Sequence, residues 1–112
     1  MLTEPGITLH IGLAPRHDMR TNDGEIIDKF IFDKEISDVH NYEALKQQAT
    51  EVIKSYGNIQ QLFLYATGLV MAVTNTLRGI DSLIDQNRIG EVYVMHFDRD
   101  TGKYGQEPWH LS

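Results

Sequence analysis

Cysteine is absent from this chain, and with it go disulfides, thiolate metal sites and cysteine nucleophiles. Long apolar runs are missing too. No stretch approaches the roughly 18 residues of a membrane span, and the opening MLTEPGITLHIGLAP has neither the basic start nor the extended apolar core of an export signal. These absences predict a soluble, cytoplasmic protein with no membrane partner. Basic residues are few and scattered: 16 acidic against 10 basic residues give a net charge of -6. Neutralising a phosphate backbone takes clustered Lys and Arg, so this balance argues against a DNA or RNA polymer as partner. It leaves room for a small anion in a local pocket, which a few backbone amides and one or two arginines can hold whatever the net charge.

What is present is ordinary for a folded domain. The 112 residues are 41% hydrophobic and 23% charged, which predicts a single α/β domain over residues 1–112, without repeats, low-complexity tracts or linkers. Ile7 to Leu13 alternates apolar residues with Thr8, His10 and Gly12, the period of a strand. A polar loop, Arg16 to Glu25, follows with turn chemistry at Asn22-Asp23-Gly24. Ile26 to Phe32 then reads as a second strand, paired antiparallel with the first. From Asn41, Leu45, Ala49, Val52, Ile53 and Tyr56 fall on one helical face, with Asn41 as N-cap and Gly57 closing the C-terminus.

Gln61 to Ala66 is apolar on both faces, as is Glu91 to Phe97, and a helix lies between them with Leu69, Val73, Leu77 and Ile80 in register. Gly79 leaves open whether that helix continues to Gln86. Strand, helix, strand implies parallel neighbours through a crossover. Asp98 to Lys103 is a hairpin turn into a last strand, Tyr104 to Leu111, which Pro108 assigns to an edge. The fold expected is a small mixed sheet of about five strands with a central parallel β-α-β unit and two main helices.

Ligands of open α/β sheets collect outside the carboxyl ends of the parallel strands. Here that rim is Ala66, Thr67 and Gly68 after one strand, where the Gly68, Leu69 and Val70 amides open the helix, and Phe97, Asp98 and Arg99 after its neighbour. A Thr-Gly turn opening a helix offers unpaired amides to an anion, and it is equally a routine way to begin a helix. On that helix Asn75 and Arg78, three apart, can share a face and bond a base edge or a phosphate; the plainer reading is a solvated or interface surface. His96 and Asp98 share a strand face, a spacing that suits two metal ligands or a carboxylate orienting an imidazole. A third ligand would have to come from His10, His17 or His110, so no metal and no cofactor are expected. Arg16, His17, Asp18 and Arg20 concentrate charge in the polar loop, and His17 and His96 are the candidate acid or base groups if the chain is a catalyst.

The segment Leu64 to Ala72, LYATGLVMA, resembles the nucleotide-sensing CARF and ring-nuclease proteins that accompany type III CRISPR systems. In those families a strand runs into a Thr-Gly turn and a helix, and the turn contacts the phosphates of a cyclic oligonucleotide at a dimer interface. The resemblance implies a small nucleotide ligand, a homodimer and a role in prokaryotic or phage defence, with Thr67 and Gly68 at the phosphates.

Three functions therefore stand as expectations: a nucleotide-binding or other phosphate-binding protein of sensor or sequestering type, a small metal-independent phosphodiesterase-like enzyme, and an interaction module docking a protein on its last strand or its helices. The lack of a dense catalytic constellation ranks binding first.

Overall fold

The computed structural model describes residues 5–15, 19–32, 40–67 and 70–111. Strand β1 (Ile7–Gly12), helix α1 (Tyr42–Lys54), strand β2 (Ile59–Tyr65), helix α2 (Val70–Asp85), strand β3 (Ile89–Asp98) and strand β4 (Lys103–His110) follow in that order. The sheet order is β1-β2-β3-β4, with β1, β2 and β3 parallel and β4 antiparallel to β3. The expected mixed α/β fold with two main helices and a central parallel unit is therefore present, and the sheet has four strands.

The missing strand is Ile26 to Phe32. It makes isolated bridges only, Phe30 with Gly12 in parallel and Ile26 with Arg20 antiparallel, so the expected antiparallel hairpin with β1 does not form. Residues 29–32 run parallel beside the end of β1, with Gly12 N–H donating to the Lys29 carbonyl at 2.9 Å and the Ile31 and Phe32 N–H groups to the Gly12 and Leu13 carbonyls at 3.0 and 2.7 Å, while Ile27 and Phe30 cover one face of the sheet. Residues 19–27 fold back on themselves, with Ile27 N–H donating to the Met19 carbonyl at 2.8 Å and Thr21 N–H to the Glu25 carbonyl at 2.8 Å. The Asn22-Asp23-Gly24 turn lies at their tip, with Gly24 at φ 88°.

Both helices pack on one face of the sheet. Leu9 and Ile11 of β1, Leu62 and Leu64 of β2 and Val92 of β3 form one core with Leu45, Ala49 and Ile53 of α1 and Ala72, Ile80 and Leu83 of α2. Leu62 and Leu64 are fully buried at its centre, and truncating either to alanine would cost about 2–5 kcal/mol. The opposite face carries a second cluster in which Met19, Ile27 and Phe30 close over Tyr65, Met95, Phe63, Tyr93 and Tyr104. Two covered faces explain why β2 and β3 lack polar alternation.

Helix α1 starts where the sequence places it, with the Asn41 side chain accepting from Ala44 N–H at 3.2 Å. Helix α2 runs unbroken through Gly79, which resolves the open question about its length. A Cβ on Gly79 would lie 2.6 Å from Thr50 Oγ1 and 3.2 Å from the Lys46 carbonyl. The missing side chain is what lets the two helices approach, and that packing outweighs the helix-weakening effect of glycine.

Candidate ligand groove at the rim of the sheet

Because β1, β2 and β3 are parallel, the N-termini of α1 and α2 share the rim beyond the strands' carboxyl ends. A groove of about 310 Å³ opens there, lined by Tyr42 at the start of α1 and by Val70, Met71, Thr74, Asn75 and Arg78 along the first turns of α2. Val70 is 73% exposed and Tyr42 47%, so the groove presents apolar surface to solvent. Arg78 lies eight residues into the helix, which puts it about 12 Å along the axis from Val70. The groove thus runs from the helix N-terminus, where backbone amides carry partial positive charge, to a guanidinium.

Asn75 and Arg78 form the connected polar group of this groove. Asn75 is 4% exposed; its amide nitrogen donates to the Met71 carbonyl at 2.8 Å, which turns its oxygen outward to accept from Arg78 Nη1 at 2.9 Å. Arg78 Nη2 reaches across to Glu43 Oε1 of α1 at 2.8 Å. The shared face read from their spacing is real, and it also joins the two helices. The missed partner is Glu43, whose link to Arg78 spans 35 residues and leaves no local signal. The Arg78 guanidinium, through its hydrogen bond and its charge, holds the Glu43 carboxyl below its usual range.

Thr67 follows β2 at the rim, its N–H bonded to the Tyr65 carbonyl at 3.0 Å. Its hydroxyl is shielded from solvent and finds no hydrogen-bond partner among the described residues. Gly68 and Leu69, the remainder of the expected phosphate turn, lie outside the described residues, as do Arg16, His17 and Asp18. Asp98 and Arg99 are exposed at the β3-β4 turn. Met95 is the last β3 residue paired with β2, so Asp98 stands three residues, about 10 Å, beyond that pairing. There the Asp98 side chain accepts from the Asp100 N–H at 2.9 Å, and its carbonyl accepts from Gly102 at 2.8 Å. Both groups serve the turn.

His96 does not use Asp98. Its Nε2 is 2.8 Å from Glu107 Oε1 on β4, an exposed pair. Among the described residues no three His, Asp or Glu side chains converge as a metal site, and no helix among them is long and apolar enough to cross a membrane.

Sequence spacing gave no hint of a second arrangement, on the other face of the sheet. His10 Nδ1 lies 2.7 Å from the hydroxyl of Tyr65, which is buried. The rings of His10, Phe63 and Tyr93 stack across three strands, with centroids 4.6 and 5.1 Å apart and planes within 15°. Stacked across strands in this way, the rings stand on edge above the sheet. They fill one another's faces and leave no flat platform between them for a base. Tyr93 and Gln61 both donate to Glu91 Oε2, each at 3.1 Å, at the margin of the row.

The outer edge of the last strand is occupied at Tyr104. Asn22 takes both outward backbone groups of Tyr104, donating to its carbonyl at 3.0 Å and accepting from its N–H at 2.8 Å. Alternation places Gln106 and Pro108 on the same side, and Pro108 has no N–H. Comparisons with protein-family models, with curated proteins and with solved structures return no match to this chain.

Proposed function

We propose that this chain binds a small anionic ligand, a nucleotide or another phosphate-bearing molecule, in the groove between Tyr42 and the first turns of α2, and that it acts as a sensor or sequestering protein. The observation that carries this reading is the groove itself: apolar walls at Val70, Met71 and Tyr42, with the α2 N-terminus at one end and a positioned Arg78 at the other. Apolar walls take the body of a ligand by burial, and the two electropositive ends orient it. A buried asparagine, bonded at both ends of its amide, fixes a surface arginine at the groove. Anion recognition gives that arrangement a purpose.

The test is a thermal-shift panel of linear and cyclic nucleotides, sugar phosphates and inorganic phosphate, run on the native protein and on Thr74→Trp. Thr74 is exposed and lines the groove, so tryptophan there fills the site without disturbing the core. At a ligand concentration one hundred times Kd the stabilisation is about 2.7 kcal/mol, and the variant loses it. A panel that stabilises neither protein, or both equally, removes this reading.

A further inference from the structure

Arg78 is held from two sides, and the two holds differ in kind. Asn75 is buried and locked by the Met71 carbonyl, so its bond to Nη1 is a fixed mount. Glu43 is on the other helix, with its side chain 75% exposed, and its bond to Nη2 is a surface ion pair. Pairs of the second kind are nearly neutral in water and exchange readily. Release also has a destination, because Lys46 lies one helical turn from Glu43 and already contributes to holding its carboxyl low. Val70, Met71 and Tyr42 make the groove mostly apolar, and among the described residues that line it there is no second cation for a polyphosphate.

From this we infer that the groove takes a ligand with an apolar body and a single acidic group, and that this group binds Arg78 by displacing the Glu43 carboxylate. Glu43 is then an internal competitor that occupies the guanidinium while the groove is empty and sets a threshold concentration for the ligand. The inference rests on the groove being the ligand site; it adds which end of the groove holds the anion and what that anion must replace. Asn75 acts as the positioning residue that keeps the guanidinium facing the groove during the exchange.

Two probes of nearly the same shape test it: 8-anilinonaphthalene-1-sulfonate, which has a fused apolar body and one sulfonate, and N-phenyl-1-naphthylamine, the same body without the charge. Fluorescence titrations are run on the native protein, Glu43→Gln, Arg78→Gln, Glu43→Gln/Arg78→Gln and Thr74→Trp, with circular dichroism melts confirming that each is folded. The expected result is one saturable sulfonate site that Thr74→Trp removes and Glu43→Gln tightens by about two- to fivefold, the range of an exposed ion pair. Arg78→Gln weakens it, adding Glu43→Gln to Arg78→Gln gives no gain, and the neutral probe ignores Glu43→Gln. Sulfonate binding that Thr74→Trp abolishes but Glu43→Gln leaves unchanged overturns the competition while the groove survives as a site. Tightening by Glu43→Gln that persists without Arg78 also overturns it, since the effect is then general charge. Sulfonate binding that ignores Thr74→Trp, or no binding at all, removes the groove and the competition together.

Discussion

The side-chain amide of Asn22 mimics a neighbouring strand for Tyr104, bonding both its N–H and its carbonyl across 82 residues of sequence. This clasp ties the tip of the 19–32 segment to the far edge of the sheet and closes that edge where it would otherwise be open to another chain. Asn22→Ala should lower stability by about 1 kcal/mol and speed hydrogen exchange at the Tyr104 amide ahead of the Val92 and Val94 amides. Unchanged exchange at Tyr104 would show that the clasp does not hold in solution.

Close approach of the helices at Gly79 makes an otherwise favourable helix substitution unfavourable. Alanine gains about 1 kcal/mol of helix propensity over glycine, but its Cβ would meet Thr50 Oγ1 at 2.6 Å. Gly79→Ala should therefore destabilise by about 1–2 kcal/mol net. Adding Thr50→Ala should recover at least half of that loss in urea melts. A Gly79→Ala protein more stable than the native one would mean that the helices sit farther apart.

Thr76 is fully buried in α2, and its hydroxyl has no hydrogen-bond partner among the described residues. Thr76→Val keeps the shape and removes the unsatisfied oxygen, so it should stabilise the protein by about 1 kcal/mol. For a domain of this size that raises Tm by about 4 °C. A fall in Tm would show that the hydroxyl is bonded after all.

Stability should form a plateau bounded by His10 and Tyr65. Burial holds the His10 imidazole below its ordinary value, opposed by Glu25 and Asp23 and aided by Lys29. Burial also pushes the Tyr65 hydroxyl up to about 12. As pH falls below about 6.5 the unfolded histidine protonates before the native one, so stability is lost on the acid side. Above about 10 the unfolded tyrosine ionises first, and stability is lost toward 12. Urea melts across pH 5 to 11 should show both limbs. Tyr65→Phe should make the alkaline limb shallower without removing it, because burial also raises Tyr104. An unchanged alkaline slope in Tyr65→Phe would contradict the assignment.

Much of this arrangement was legible in the residues, for reasons that separate local from distant interactions. The Asn41 cap, the α1 stripe and the two-faced apolar strands are patterns within a few residues, and each appears as read except at the end of β3, where His96 and Phe97 are exposed. Ile26 to Phe32 departs from the expected antiparallel hairpin because β-rich apolar residues carry no information about strand direction, and here residues 29–32 lie parallel beside β1. In the fold Ile26 is exposed beside Arg20, while Ile27, Ile31 and Phe32 are buried. At the candidate site, the three-residue spacing of Asn75 and Arg78 predicted their shared face. Their third member, Glu43, belongs to another helix and becomes visible only once α1 and α2 are packed. His10 and Tyr65 met in the same way, across the pairing of β1 with β2.

The groove is tested most directly by nuclear magnetic resonance, titrating the labelled protein with a nucleoside monophosphate or whichever panel member stabilises it. Binding as proposed predicts saturable shifts concentrated at the amides of Tyr42, Val70, Met71 and Thr74 and at the Arg78 side-chain signal, with His96, Asp98 and Arg99 unmoved. Shifts centred on the β3-β4 turn or on the His10 face, with Val70 to Arg78 silent, would place the ligand elsewhere and contradict the account.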